Sequence, residues 1–171
     1  LARDGWAVAV HYNRSKSRAE EMVAKITKAG GRAVALAADL AEDGEAAGLV
    51  PRAVKALGPL GCLINNASRF EADTPETATR ESWETHIEVN LRAPFVLTQG
   101  FAAQVPAESS GCVVNIIDQR VWNLTPFFTT YTLSKAGLWI LTQTLAMALA
   151  PKIRVNAIGP GPTMASARQT E

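Results

Sequence analysis

The chain has 171 residues, 47% of them hydrophobic, which fits one domain with a sizeable core. The formal net charge is only +1 and the basic residues form no run, which argues against nucleic acid or a membrane surface as the main partner. No stretch is apolar over the length of a bilayer and no signal-peptide pattern opens the chain, so we expect a cytoplasmic protein. Cys62 and Cys112 are interpreted as buried, reduced thiols, and His11 and His86 as isolated, so no metal site is predicted.

Strands and helices are predicted to alternate along the chain. A helical end at positions 1–3, capped by Gly5, comes first. Continuously apolar runs, typical of parallel strands buried on both faces, predict strands at 6–12, 33–38, 62–65, 112–117 and 153–158. Helices are predicted at 17–29, 45–57 (despite Pro51), 80–104 (kinked at Pro94) and 131–149. This order predicts an α/β fold with a doubly wound, mostly parallel sheet that binds ligands at the carboxyl ends of its strands.

The clearest chemical signal is a tyrosine and a lysine at the start of the last predicted helix. Tyr131 and Lys135 are four residues apart, so both side chains lie on one face, about one turn from each other. A free tyrosine has a pKa of ~10, and a nearby ammonium lowers that value by favouring the phenolate. The spacing therefore predicts that Lys135 tunes Tyr131 as a general acid for reduction or a base for oxidation. The alternative is a surface tyrosine beside a solvated lysine.

Other polar motifs follow the predicted strands in a fixed order. They are Asn65-Asn66-Ala67 after the third strand, Asn90 within Val89-Asn90-Leu91, Tyr131 with Lys135, and Pro160-Gly161 after the last strand. Each alone has a plainer reading, such as an Asx turn or a loop. Together they resemble the short-chain dehydrogenase/reductase family over nearly the whole chain. The resemblance implies a Rossmann-like fold, a nicotinamide cofactor and a small-molecule substrate.

The same resemblance implies roles for single residues. Asn90 is expected to hold a helix kink and the water of a proton relay, and Lys135 to bond the nicotinamide ribose as well as acting with Tyr131. The residues expected to contact the cofactor are Asp39, Leu40, Asn66, Ala67, Ser68, Tyr131, Lys135, Pro160, Gly161 and Thr163, with Thr163 at the carboxamide. Asp39 alone also suits a plain helix N-cap.

The end of the first predicted strand indicates which nicotinamide cofactor is used. An NAD enzyme usually carries an acid there to hold the ribose hydroxyls, and positions 11–15 contain none. Arg14 can pair with a 2′-phosphate and Ser15 can donate to it. The stretch therefore favours NADPH over NADH. The alternative is an exposed arginine before a helix.

The chain departs from the family pattern in two places. No glycine-rich turn of the GxxxGxG kind occurs, so we expect the sequence to be a fragment without the first strand, that turn and the elements after the fifth strand. The second departure is Asp118, which stands where the family has a catalytic serine, thirteen residues before Tyr131. An ionised carboxylate cannot donate to a substrate carbonyl, but it accepts from the N–H of a heterocycle and disfavours a tyrosinate. The alternative is a capping aspartate in a protein without activity.

Asp118 together with Asn-Asn-Ala-Ser-x-Phe after the third strand resembles the pteridine reductase branch. There a phenylalanine, matched by Phe70, stacks a pterin ring, and an aromatic face suits a flat bicyclic ring. Phe70 alone reads as a packing residue. Trp122 and Phe127-Phe128 are candidates to wall the substrate pocket or to contact another subunit.

Three hypotheses remain open at this point. The first is an NADPH-dependent reductase of a pterin-like heterocycle with Tyr131 as proton donor. The second is a carbonyl reductase of ketones or aldehydes, and the third is a non-catalytic NADP-binding or assembly subunit. The helices at 80–104 and 131–149 are apolar around much of their surface, and the resemblance implies that they join subunits in a homo-dimer or homo-tetramer.

Overall fold

The structure, a computed structural model, describes residues 1–161. The strands in this range are β1 (Val8–Tyr12), β2 (Ala33–Ala37), β3 (Cys62–Asn65), β4 (Gly111–Ile116) and β5 (Ile153–Ile158). The helices are α1 (Lys16–Lys28), α2 (Asp43–Leu57), α3 (Arg80–Ile87), α4 (Ala93–Gln104) and α5 (Thr129–Leu149). Strands and helices alternate and every strand pairing is parallel, which confirms the predicted α/β class.

The strands form two parallel sheets. β1 pairs with β2, and β4 lies between β3 and β5 in a sheet of three strands. Residues of both β1 and β3 line one cavity of about 690 Å³. Because side chains alternate across a strand, β4 places Val113 in the core and its neighbours on a half-buried face.

The apolar core has two clusters that share contacts. The first is built from α2, α4 and the residues that follow β2, and comprises Ala38, Leu40, Ala46, Leu49, Val50, Ala93 and Leu97. The second lies between α4 and the three-stranded sheet, and comprises Phe101, Val105, Val113, Ile153 and Val155. Leu60 and Leu63 pack against both clusters, so they tie the segment around β3 to both. Full burial of such side chains stabilises the fold by about 1.5–3 kcal/mol each.

The segment predicted as one helix over 80–104 is three helical pieces. A π-helical turn, Glu88–Arg92, separates α3 from α4, and Pro94 is placed in the first turn of α4. The predicted kink at Pro94 is therefore displaced: the distortion lies in the turn before the proline. Proline has no N–H to donate to the preceding turn, and a widened turn is one way for a helix to accommodate that loss. Pro51, in contrast, lies within an uninterrupted α2, as predicted.

The ends of the other elements differ from prediction by one or two residues. The helical end at the start is a 3₁₀ turn, Ala2–Asp4, closed by Gly5 with φ 87°. α5 begins at Thr129, two residues before Tyr131, and Phe128 precedes it with φ 62° and ψ 47°.

The two cysteines are less buried than predicted. Cys62 and Cys112 face each other in register across β3 and β4, and both are half-buried because they lie on the more open face of that sheet. Among residues 1–161, none of the helices has the apolar length needed to cross a bilayer.

Candidate active site

Tyr131 and Lys135 lie one turn apart at the start of α5, and both are buried. Tyr131 is 6% exposed and Lys135 is 2% exposed. The Lys135 ammonium lies 5.9 Å from the centroid of the Tyr131 ring, and it donates a hydrogen bond of 2.8 Å to the carbonyl of Ile116 at the end of β4. α5 therefore brings the predicted pair together, while β4 anchors the lysine head.

The Tyr131 hydroxyl points at Asp118. It donates a hydrogen bond of 2.8 Å to one carboxylate oxygen of Asp118, and the other oxygen accepts the N–H of Arg120 at 2.9 Å. Asp118 begins a short 3₁₀ turn, Gln119–Val121, two residues after β4 ends. The carboxyl end of the strand thus places the aspartate opposite the first turn of α5.

The electrostatics of the pair differ from the prediction. Burial, together with the hydrogen bond and charge of Asp118, raises the pKa of Tyr131 above its ordinary value. Burial lowers the pKa of Lys135 to about 8, and the charge of Asp118 opposes that shift. The prediction that Lys135 lowers the pKa of Tyr131 is wrong here, because the ammonium bonds the Ile116 carbonyl while a carboxylate accepts the phenolic proton. The expectation that Asp118 disfavours the tyrosinate agrees with this geometry.

Asn90 connects the loop after β3 to α5. It lies in the π-helical turn and is fully buried. Its amide oxygen accepts the N–H of Arg69 at 2.8 Å and the Ser68 hydroxyl at 3.2 Å. Its amide nitrogen donates to the Arg69 carbonyl and to the Ser134 hydroxyl, both at 3.0 Å. The distorted turn thus places the Asn90 amide between the backbone of Arg69 and the side chain of Ser134, the residue before Lys135.

An aromatic cluster lies beside the Tyr131 hydroxyl. The Phe70 ring stacks on Phe128 at 4.6 Å with 12° between the planes, and it meets the edge of Tyr131, also at 4.6 Å. The Arg120 guanidinium lies 4.6 Å from the Phe128 ring and 6.0 Å from Phe70. Phe70 therefore lies next to Tyr131, as a residue that stacks a substrate ring must.

Trp122, also predicted as a wall of the substrate pocket, has other neighbours. Its ring meets the edge of Trp139 at 5.5 Å, about two turns along α5 from Tyr131. It also lies so close to Gly159 that a Cβ there would come within 2.8 Å of the indole. The structure thus places Trp122 against the middle of α5 and the end of β5, and its role at the substrate stays a prediction.

The 690 Å³ cavity runs along β1 and β3 from their first residues, Val8 and Cys62, and seven predicted cofactor residues line it where the strands end. They are Arg14 and Ser15 after β1, Asp39 and Leu40 after β2, and Asn66, Ala67 and Ser68 after β3. Pro160 and Gly161 follow β5, and a Cβ on Gly161 would lie 3.6 Å from the Gln119 side chain near Asp118. Thr163 lies outside the described residues. The Ser68–Asn90–Ser134 bonds connect this cavity to the helix that carries Tyr131 and Lys135.

Asp39 is an ionised group at the edge of the cavity. The N–H of Ala41 donates to its carboxylate at 3.0 Å, and this bond, with the nearby charges of Arg69 and Arg14, lowers the pKa of Asp39. It is not the N-cap of α2, because that helix begins at Asp43 after Glu42. The arginines give the cavity edge cationic groups suited to a dinucleotide phosphate.

Sequence reasoning missed a buried polar cluster behind the tyrosine. The prediction that His86 is isolated is wrong: the ring is completely buried, its Nδ1 lies 2.7 Å from the Thr130 hydroxyl, and it meets the edge of Tyr131 at 6.0 Å. Asp73 bonds the same hydroxyl. Asp73 and Thr130 are 57 residues apart, so no local spacing indicates this contact. Arg120 was also missed, although it stands two residues after Asp118.

The whole chain is similar to proteins that are already known. The family model described as short chain dehydrogenase matches residues 1–171. An uncharacterized oxidoreductase of Methylorubrum extorquens is 38% identical over 162 residues, which cover 94% of this chain and 64% of that protein. A 3-oxoacyl-[acyl-carrier-protein] reductase, FabG, of Staphylococcus epidermidis is 32% identical, with 94% of this chain and 66% of that protein covered.

A solved structure matches this chain at a higher sequence identity than these two relatives do. The crystal structure of FolM alternative dihydrofolate reductase 1 from Brucella canis, complexed with NADP, is 46% identical with a TM-score of 0.91. The match covers 96% of this chain and 66% of that one. The chain thus spans about two thirds of the length of the proteins it resembles, and just under that share of the Methylorubrum relative.

Proposed function

Because the chain belongs to the short-chain dehydrogenase family, we propose that it is an oxidoreductase that reduces a pterin-like heterocycle with NADPH. The observation that carries this proposal is the hydrogen bond from Tyr131 to the Asp118 carboxylate beside the Phe70 ring. A carboxylate at this place accepts N–H groups, and a phenylalanine face accepts a flat ring. The 46% identity to a protein described as an alternative dihydrofolate reductase supports the same substrate class.

Tyr131 and two neighbouring residues have separate roles in the transfer of the proton. The raised pKa keeps Tyr131 protonated, so its hydroxyl is a proton donor to a ring nitrogen placed within hydrogen-bond reach. Asp118 orients the ring by accepting its N–H or amine donors, and it releases the Tyr131 hydroxyl when it does so. Lys135 does not lower the pKa of Tyr131 while Asp118 accepts the phenolic proton. Once Asp118 bonds the substrate instead, the Lys135 ammonium, 5.9 Å from the ring centroid, is the positive charge that stabilises the phenolate as the proton leaves. NADPH, when bound, supplies the hydride.

The cavity residues fit that cofactor. Arg14 and Ser15 lie exposed just before α1, where a cation and a hydroxyl suit a 2′-phosphate. We assign Asp39 and Leu40, which line the same cavity, to the adenine end. Asn66, Ala67 and Ser68 lead from the cavity toward Asn90, and we assign Pro160, Gly161 and Thr163 to the nicotinamide end. We treat residues 1–171 as one NADP-binding domain.

Arg14 gives a direct test of cofactor choice. Arg14→Ala should raise the KM for NADPH by about ten- to a hundredfold, because a charge-assisted bond to the 2′-phosphate is worth about 1.5–3 kcal/mol. The KM for NADH, which lacks that phosphate, should be unchanged. Arg18→Ala is the matched control, since Arg18 is an exposed cation in the first turn of α1, four residues after Arg14, that does not line the cavity. Equal effects of the two substitutions on NADPH would remove Arg14 from the phosphate site.

The pH dependence of reduction gives a second test. The pKa of Lys135 is lowered to about 8, so the side chain is a cation below that pH and neutral above it. We therefore expect kcat/KM to fall as the pH rises through about 8. Because the Asp118 charge raises the pKa of Lys135, Asp118→Asn should move the midpoint to lower pH. A midpoint that stays in place in that variant would show that another group controls the profile.

The substrate class is tested with a panel of compounds and the product of the complete gene. NADPH absorbance is followed with dihydrobiopterin, dihydrofolate, and a set of ketones and aldehydes. We expect turnover of the pterins at lower concentration than any carbonyl compound. A folded, NADPH-binding protein that turns over no pterin would defeat the substrate proposal.

Carbonyl reduction is the second candidate, and the 32% identity to a 3-oxoacyl-[acyl-carrier-protein] reductase favours it. In that case the panel shows activity with ketones or aldehydes alone. NADPH binding without turnover of either class would favour the third hypothesis, a non-catalytic NADP-binding or assembly subunit, in which Asp118 is only the cap of its short 3₁₀ turn.

We also propose a cytoplasmic homo-dimer or homo-tetramer joined through the helices at 80–104 and 131–149. α5 carries apolar side chains with large exposed fractions, including Ile140 at 60% and Met147 at 77%. Trp83 of α3 and Phe95 of α4 are exposed as well. Apolar surface of this extent on neighbouring helices is typical of a protein interface.

A further inference from the structure

A row of three buried polar side chains lies behind Tyr131. The ring nitrogen Nδ1 of His86 is 2.7 Å from the Thr130 hydroxyl, and that hydroxyl donates to Asp73 at 2.5 Å. His86 is 0% exposed, Thr130 1% and Asp73 6%. A buried carboxylate and imidazole are unusual unless they are fully bonded, so this row has a structural or functional reason to persist.

The direction of the hydrogen bonds in the row is fixed by its outer end. The N–H of Glu71 donates to Nε2 of His86 at 3.1 Å, so Nε2 carries no proton. The proton of the neutral ring is then on Nδ1, which donates to Thr130, and the single Thr130 proton goes to Asp73. Only this order of donors and acceptors gives every buried N–H, O–H and acceptor atom of the row a hydrogen-bond partner.

The inner end of the row holds the backbone before α5. The Asp73 carbonyl accepts the N–H of Phe128 at 2.8 Å, and its carboxylate accepts the N–H of Thr130 at 3.2 Å. Between these two bonds the chain passes through Phe128 in the left-handed region, the one non-glycine residue with positive φ in residues 1–161. Such a conformation costs on the order of 1–3 kcal/mol and persists where its surroundings enforce it. The two backbone hydrogen bonds that Asp73 accepts hold Phe128 in this conformation.

The conformation of Phe128 decides what lies next to Tyr131. It brings the Phe128 ring onto Phe70 at 4.6 Å and under the Arg120 guanidinium. In a relaxed backbone the ring would point elsewhere, since φ sets the direction of the side chain. The row therefore controls the aromatic cluster through the backbone of Phe128, which Asp73 bonds at 2.8 Å.

We propose that Asp73, Thr130 and His86 are positioning residues that hold Phe128 in its left-handed conformation and so build the aromatic face that receives the substrate ring. This inference rests on the proposed reduction of a flat heterocycle. It predicts that breaking the row weakens substrate binding and turnover while leaving the cofactor cavity unaffected, because none of these hydrogen bonds is to a residue that lines that cavity.

The test removes the middle of the row in the complete protein. Thr130→Val deletes the shared hydroxyl with little change of shape, and Thr98→Val is the matched control, because Thr98 is equally buried but bonds only the Pro94 carbonyl of its own helix. We expect Thr130→Val to raise the KM for dihydrobiopterin by about tenfold or more and to lower kcat, while the Kd for NADPH is unchanged. Thr98→Val should leave all three constants as in the wild type.

A spectroscopic measurement reports the geometry without turnover. The Arg120 Nε–H signal, assigned by its loss in Arg120→Lys, should be shifted upfield by the Phe128 ring current, and Phe128→Leu should remove that shift. Thr130→Val should remove it as well. Retention of the shift and of the wild-type KM in Thr130→Val would overturn the proposal. If the wild type reduces no pterin, the proposed substrate fails, while this shift still decides whether the row positions Phe128.

A second pair of variants covers the case in which Thr130→Val does not fold. His86→Asn retains a donor at the place of Nδ1, and His86→Leu has none. We expect His86→Asn to retain the upfield Arg120 signal and His86→Leu to lose it. Equal signals in the two variants would contradict the inference.

Discussion

Tyr131→Phe should lower kcat for dihydrobiopterin reduction by roughly a hundredfold or more, the usual contribution of a positioned general acid. The change removes only the hydroxyl of a side chain that is 6% exposed, so the packing around the ring is retained. That hydroxyl is the group bonded to Asp118 at 2.8 Å, beside the stacked Phe70 ring. Steady-state rates at saturating NADPH measure the effect.

The Kd for NADPH serves as the control for Tyr131→Phe. Tyr131 does not line the 690 Å³ cavity, and its predicted contact with the cofactor is one among several, so NADPH binding should weaken only slightly when proton donation is lost. A variant that retains the wild-type kcat would exclude Tyr131 as the proton donor. A variant that loses NADPH binding as well would indicate a disrupted fold rather than a missing proton.

Asp118→Ser should separate the two candidate substrate classes. For a pterin, kcat/KM should fall by about ten- to a hundredfold, because the ring loses a charged acceptor whose hydrogen bonds are worth about 1.5–3 kcal/mol. For a ketone, the rate should stay the same or rise, because a serine hydroxyl donates to a carbonyl oxygen and a carboxylate does not. The same compound panel measures both effects in one experiment.

Asp118→Asn is the companion to this substitution. It retains the shape and one acceptor oxygen but loses the charge, so it should reduce pterin turnover less than the serine does. It also removes the charge that raises the pKa of Tyr131, which makes the phenolate more accessible at high pH. Parallel losses with pterins and ketones in both variants would contradict a role for Asp118 in substrate choice.

The parts of the site that sequence could predict are those fixed by one element or by strand ends. Tyr131 and Lys135 lie one helical turn apart, so helical periodicity was enough to pair them. Asp118, thirteen residues before Tyr131, was found through the resemblance to the family, and its hydrogen bond to Tyr131 agrees with that position. The residues after β1, β2 and β3 also line one cavity, because parallel strands bring their carboxyl ends to one edge.

The remaining features depend on contacts that no local pattern specifies. Asp73 and Thr130 are 57 residues apart, and His86 and Thr130 are 44 apart, so their row exists only once α3 and α5 pack together. The lowered pKa of Lys135 has the same origin, because its main cause is burial. Pro94 predicted a distortion and the resemblance placed a kink at Asn90, but the π-helical form of the turn and the bond of Asn90 to Arg69 are contacts that no local pattern specifies.

The most direct test of NADPH-dependent pterin reduction is to follow the hydride itself. The product of the complete gene is incubated with dihydrobiopterin and NADPH deuterated at the transferable position of the nicotinamide, and the pterin is analysed by mass spectrometry. We predict a tetrahydropterin that carries the deuterium, formed by the wild type and strongly reduced in Tyr131→Phe. An NADPH-binding protein that yields no deuterated pterin, while passing the label to a ketone or to nothing, would contradict the account.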